Sequence, residues 1–141
     1  MIIRGAIAPD AQVIAELLGE LGYPATAEDV VARLERLAAF PSAVALVAEV
    51  DERVAGVITC HLLPSIHASA VVAWLTTLVV DSRSQSRGIG RTLVAAVESW
   101  ARDAGAVRIS VTSGSHRSGA HAFYERIGYD RSGVRLTKPL S

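Results

Sequence analysis

A mixed α/β sheet with helices packed on it is the fold class this sequence predicts, on three observations. Short runs rich in β-branched residues alternate with helical-period segments in the order β-α-α-β-β-β-α-β-α-β. Two of the runs, Ala43 to Val50 and Val54 to Leu63, flank Asp51-Glu52 as a hairpin, which brings antiparallel pairing into the sheet. A third, Val71 to Val80, runs through a glycine-bearing loop into a helix. The 141 residues fit a single domain, 1–141, long enough to bury a core.

Taken in order, Ile2 to Ala6 reads as a short strand ended by Pro9-Asp10, with Asp10 as cap of a helix carrying Ile14, Leu17, Leu18 and Leu21. Gly22 and Pro24 stop that helix. Thr26 caps the next one, which aligns Val30, Leu34, Leu37 and Ala38 before Pro41. The hairpin follows, then a loop from Pro64 to Ser69. Val71 to Val80 is apolar on both faces except at Thr76 and Thr77, which predicts a central place in the sheet. The third helix starts near Gly88, puts Leu93, Val97, Trp100, Ala101 and Ala104 on one stripe, and stops at Gly105. Val107 to Thr112 is a strand and Ser113 to Ser118 a polar loop. A helix from about Gly119 to Ile127 groups Ala120, Phe123, Tyr124 and Ile127, and Tyr129 to Leu136 gives a last strand.

Composition removes several classes of function. Fourteen basic and fourteen acidic residues cancel, which argues against broad nucleic-acid or membrane-surface binding. No apolar run is long enough to span a bilayer, and Met1 to Gln12 lacks the pattern of a signal peptide. The single cysteine, Cys60, excludes an internal disulfide and fits a reducing cytoplasm, with a buried, inert thiol expected.

The chemistry concentrates at Gln85-Ser86-Arg87-Gly88-Ile89-Gly90-Arg91. A helix that opens out of such a loop directs free N–H groups and the positive end of its dipole at the same point, a ready anion site. Gly88 and Gly90 are expected to clear side chains from a phosphate's path, and Arg87 and Arg91 add full charges. The nucleotide-triphosphate loop is excluded because no Gly-Lys pair occurs, and the dinucleotide loop because its third glycine and early position are missing. The pattern Q/R-x-x-G-x-G/A is matched fully by Gln85, Gly88 and Gly90. A tight strand-to-helix turn is the plain structural alternative.

Together with the segments around Trp100 to Ala106 and Ala120 to Tyr129, that loop closely resembles the GNAT superfamily of acetyl-CoA-dependent N-acetyltransferases, most specifically over residues 75 to 130. The resemblance implies a GNAT fold: a mixed, mostly antiparallel sheet flanked by four helices, with splayed central strands whose gap takes the pantetheine arm. It implies acetyl-CoA as cosubstrate, no metal, and transfer of the acetyl group to a primary amine by direct attack. Backbone groups of Leu78, Val79 and Val80 would then meet the pantetheine and acetyl end, and Gln85, Ser86, Arg87, Gly88, Ile89, Gly90 and Arg91 the pyrophosphate. An open strand edge suits the two amides of pantetheine, and the Val80 N–H is a donor for the developing oxyanion. Arg117 stands where the family often has an asparagine that contacts CoA, and would either reach a phosphate or lie in solvent.

Tyr124 aligns with the family tyrosine that gives a proton to the departing thiolate; a core-packing role is its plain alternative. The family's strand glutamate, a common base, is replaced by Thr76, which cannot take a proton at neutral pH. His61, His67, His116, Glu49 and Asp81 are the remaining base candidates. His121 and Glu125, four apart, read as a surface pair. The acceptor side, Gly19 to Thr26 and Pro64 to Ala70 in the family's manner, offers few charges (Glu20, Glu28, Asp29 and His67), which favours a small or modestly charged amine. Acetylation of a protein or peptide, and a non-catalytic acyl-CoA-binding regulatory module, are the alternatives. No nucleic acid or membrane is expected as partner, and the resemblance leaves a homodimer open.

Overall fold

Apolar residues at period two on five segments and at helical period on four others sort the chain into one sheet and its covering helices. A computed structural model describes residues 1–67, 69–85, 87–112 and 118–141, with residue 118 described by its backbone alone. Among the described residues the strands are β1 (Ile2–Gly5), β2 (Ala43–Val50), β3 (Arg53–Leu63), β4 (Val72–Val80) and β5 (Ile109–Val111). The helices are α1 (Ala11–Leu21), α2 (Ala27–Ala38), α3 (Ile89–Asp103) and α4 (Ser118–Arg126). Strand order follows chain order, β1-β2-β3-β4-β5. The first three pairings are antiparallel, and β4 with β5 is parallel.

Two apolar layers sit on opposite faces of the sheet. Val47, Val57 and Val79 bury against Ile14, Leu17 and Val30 of α1 and α2. Ile58, Cys60, Ala73 and Leu75 bury against Leu93, Val94 and Val97 of α3 and Tyr124 of α4. β4 therefore contributes to both layers, as its two apolar faces predicted. It is interior but off-centre, because β3 occupies the middle of the order.

Local signals explain most element ends. Thr26 Oγ1 accepts from the Asp29 N–H at 3.0 Å while the Asp29 carboxylate accepts from the Thr26 N–H at 3.0 Å, a capping box at the start of α2. Gly22 and Gly105 turn through φ of 101° and 89° just beyond α1 and α3. Asp10 occupies the N-cap position of α1 as expected, but its side chain gives the helix no capping hydrogen bond. Its carboxylate accepts from both Arg4 guanidinium nitrogens at 2.9 Å and from the Ile7 N–H at 2.8 Å. Asp10 is only 6% exposed, and an arginine fork in that setting outcompetes a helix N–H.

Two expectations on the far side of the molecule are corrected. Val107 to Thr112 contributes only the three residues of β5. Tyr129 to Leu136 forms no strand; the tail is irregular, with Val134 88% and Leu136 91% exposed. Gly133 at φ 73° breaks the extended geometry there, so the alternation of Val134 and Leu136 finds no ladder to join. In α3, Trp100 is half-buried and Ala104, which terminates the helix, is exposed.

Candidate active site

β4 is the strand that shapes the site, and one extra residue shapes β4. Thr59 pairs with Thr77 while Cys60 pairs with Leu75, so Thr76 has no partner in β3 and forms a bulge. Before it, the Ala73 N–H points to β5 and donates to the Arg108 carbonyl at 2.9 Å. After it, the Asp81 N–H points the other way and donates to the Ala55 carbonyl at 2.8 Å. Alternation back from Asp81 aims the backbone of Val79 at β3 and the N–H and C=O groups of Leu78 and Val80 at the opposite edge. β5 pairs with β4 only from Ala73 to Leu75, so among the described residues no strand lies beside Leu78 and Val80. The splay expected between neighbouring strands would fall at this edge. Of the three residues expected to offer backbone groups, Leu78 and Val80 face this edge and Val79 is engaged in the sheet.

The open edge leads into the start of α3. Gly88 precedes the helix at φ 76°, a left-handed conformation that glycine adopts without strain. With no side chain at Gly88 there is no side-chain cap, and the first turn holds no acidic residue. Thr92 closes the turn, its N–H and Oγ1 both donating to the Gly88 carbonyl at 3.0 and 2.8 Å. The N–H groups of Ile89, Gly90 and Arg91 precede that first bond and have no partner among the described residues. Gln85, Arg87 and Arg91 are exposed around them, and the Ile89 side chain is buried. A Cβ at Gly90 would lie in ordinary contact with the Phe123 ring (3.4 Å) and Val80 Cγ2 (3.7 Å). Ser86, His116 and Arg117 lie outside the described residues.

Tyr124 enters the layer between α3, α4 and the sheet and is 9% exposed. Its ring meets Phe123 edge-on at 5.2 Å and Tyr129 at 5.6 Å. The described residues give its hydroxyl no hydrogen-bond partner, yet none of their fully buried side-chain polar atoms goes unpartnered. The hydroxyl is therefore not fully buried, and Tyr124 lines a groove of about 1200 Å³ together with Glu98, Ile109, Val111 and Tyr129. Burial pushes its pKa up to about 12, which keeps the phenol protonated at neutral pH. The Cys60 thiol, buried beneath the same layer, is pushed up to about 11 for the same reason.

The base candidates divide by what already holds them. Asp81 accepts from the Arg83 N–H at 2.9 Å and pairs with its guanidinium at 3.0 Å, which holds the carboxyl below its ordinary range and weakens it as a base. Glu49 lies 3.5 Å from Arg4. His67 shares a hydrogen bond with Ser65 in an exposed loop. His61 sits opposite Trp74 and two positions along β3 from Thr59, whose hydroxyl is 2.7 Å from that of Thr76. These four side chains share one sheet face at the bulge. On the acceptor side, Asp29 caps α2 and Glu20 accepts from Ser82 Oγ at 2.7 Å. The Ser82 link ties the end of α1 to the loop ahead of α3. Glu125 accepts from Arg131 at 3.2 Å.

Among the described residues no group of three or more His, Cys, Asp or Glu side chains is placed to hold a metal ion, and no helix is long and apolar enough to cross a membrane. Comparison with known proteins adds an independent line. The model of the acetyltransferase (GNAT) family matches residues 12–129. The chain is 36% identical over 87 residues to the aminoalkylphosphonate N-acetyltransferase of Salmonella typhimurium, covering 62% of this chain and 56% of that one. It is 31% identical over 134 residues to the aminoglycoside N(6′)-acetyltransferase type 1 of Stenotrophomonas maltophilia, covering 92% and 86%. The chain spans 58% and 56% of the length of the first two curated relatives it matches. A solved structure of a transcriptional regulator from Bacillus halodurans C-125 has the same fold, with a TM-score of 0.89 at 21% identity over 99% of each chain.

Proposed function

Because this chain belongs to the GNAT acetyltransferase family, we propose that it transfers the acetyl group of acetyl-CoA to a primary amine of a small molecule, by direct attack with both substrates bound. The observation that carries the reading is the open edge of β4 at Leu78 and Val80 running into the uncapped, acid-free first turn of α3. Acetyl-CoA fits that arrangement. Its pantetheine amides match a strand edge, and its pyrophosphate matches the Ile89, Gly90 and Arg91 amides with Arg87 and Arg91 beside them. On the family pattern Gln85 and Ser86 also meet the pyrophosphate, and Arg117 is a further phosphate contact.

Within that frame the Val80 N–H donates to the oxygen of the reacting carbonyl. Tyr124, protonated and lining the groove, gives its proton to the departing sulfur. Burial raises the phenol and would raise a thiol beside it as well, as it does at Cys60, so donor and leaving group move together. His61 is the base that the sheet face at Thr59 and Thr76 favours. The relatives named for aminoalkylphosphonate and aminoglycoside substrates support a small amine. So does the engagement of Asp29 and Glu20, which leaves few free carboxylates for a polycation.

Thr76, where the family often places a carboxylate, favours one second reading: an acyl-CoA-binding regulatory module without turnover. Calorimetry with acetyl-CoA, followed by thiol release across a panel of small amines and peptides, separates the cases. The expected result is saturable binding plus thiol release with a small amine. Binding without turnover on any amine supports the regulatory module, release with peptides alone supports protein acetylation, and no heat on titration removes all three.

A further inference from the structure

We propose that Tyr129 and Glu98 are positioning residues for Tyr124, a role that rests on Tyr124 being the proton donor of the reaction above. α4 needs such a clamp. It is a short helix, and among the described residues no following strand fixes its C-terminal end. Phe123 seats one side of it on Gly90 and Val80. Beyond its last turn the chain folds back, with the Tyr129 N–H donating to the Tyr124 carbonyl at 2.9 Å. That bond brings the Tyr129 ring against the Tyr124 ring, centroids 5.6 Å apart and planes inclined at 57°. The Tyr129 hydroxyl then donates to Glu98 Oε2 at 2.8 Å, across 31 residues of chain.

Glu98 belongs to α3, whose Leu93, Val94 and Val97 are buried against the sheet. A continuous path thus runs from the rigid layer through Glu98 and Tyr129 to the ring of Tyr124. A phenol donating to a carboxylate is among the stronger hydrogen bonds available to side chains. Burial, then the bond to Glu98, moves the Tyr129 pKa well above its ordinary value, so the donor keeps its proton across the working range. The link also has a direct chemical purpose. Proton donors work within narrow tolerances of about 0.5 Å and 10–20°, and a 1 Å misplacement costs on the order of a hundredfold in rate. Tyr124 has no hydroxyl partner among the described residues to orient it, so among those residues its direction is set by the contacts of its ring.

Four variants test the assignment side by side: Tyr129→Phe, Glu98→Leu, Glu98→Gln and Tyr124→Phe. Each is assayed for kcat, acceptor KM and acetyl-CoA affinity. Tyr129→Phe keeps the ring and loses only the bond, so kcat is expected to fall about tenfold, with acceptor KM and acetyl-CoA affinity nearly unchanged. Glu98→Leu should do the same, and Glu98→Gln, which still accepts the bond, should recover most of the rate. A mere loss of stability would not produce that split or that rescue. If Tyr124→Phe collapses turnover while Tyr129→Phe leaves it intact, the positioning role is overturned and the donor role stands. If Tyr124→Phe turns over normally, the donor role fails and takes this inference with it.

A spectroscopic readout is independent of turnover. With carbon-13-labelled tyrosine, Tyr129→Phe should shift or broaden the Tyr124 ring resonance, and Glu98→Gln should restore it. A Tyr124 signal unmoved by Tyr129→Phe overturns the proposal without reference to activity.

Discussion

An alanine at position 88 meets strain and no collision, since Gly88 has φ 76° with nothing within 4 Å of a Cβ. At position 90 the same substitution meets the ordinary contacts of Phe123 and Val80 and no backbone penalty. Gly88→Ala is therefore expected to cost about 1–2 kcal/mol. Gly90→Ala should be neutral or stabilising by up to about 1 kcal/mol, since alanine is the better helix former. Thermal melts of the two variants check this, and a larger loss at Gly90 would contradict the local geometry. The two glycines are indistinguishable in the sequence motif. Their difference arises because one sets a backbone angle and the other lets Phe123, a residue of another helix, come close. Thr26 and Asp29 were legible because a capping box is local. The Asp10 side chain was misread as a cap because Arg4, its stronger partner, reaches it from the adjoining strand.

At the scale of elements, α3 is pressed onto the sheet at Gly56. A Cβ there would stand 3.0 Å from Leu93 Cδ1, 3.2 Å from Ile89 Cγ2 and 3.3 Å from the Val79 carbonyl. Gly56→Ala is expected to destabilise the fold by about 1–3 kcal/mol through overpacking. By lifting Ile89, it should also loosen acetyl-CoA binding on the proposed reading. Denaturant melts with calorimetry check both, and full stability in the variant would show that α3 has slack. The helices, the hairpin and the strand-loop-helix unit were readable because each carries its own period and punctuation. The final strand was misread because period-two alternation at Val134 and Leu136 specifies a face only where a neighbouring strand exists. The Tyr129 to Glu98 bond spans elements and leaves no mark on either one's pattern.

For the molecule as a whole, the pH dependence of stability follows from groups that folding perturbs. Asp10 is lowered from 3.8 mainly by its bond to Arg4, so its contribution is complete above that value and lost as pH falls through the native pKa. Tyr124 is raised from 10.0 to about 12 by burial, so the native state holds a proton that the unfolded chain releases, and stability declines as pH rises past 10.0. The expected profile is a plateau that falls on both sides. Asp10→Asn should lower the plateau by about 1.5–3 kcal/mol, the range for a hydrogen bond to a charged group, and flatten the acid limb. Chemical unfolding from pH 3 to 11 checks this, and an acid limb as steep in the variant as in the parent would assign the effect to other carboxylates.

Thr76 has a consequence for how this strand tolerates change. Residues on either side of it already alternate as though it were not there: Leu75 and Leu78 look toward α3 and α4, and Val79 toward α1 and α2. Counting odd and even numbers down the strand sorts inward from outward correctly only as far as Leu75, then inverts every later assignment. A chain shortened by this one residue would turn none of its downstream side chains over, so both apolar layers would keep their membership.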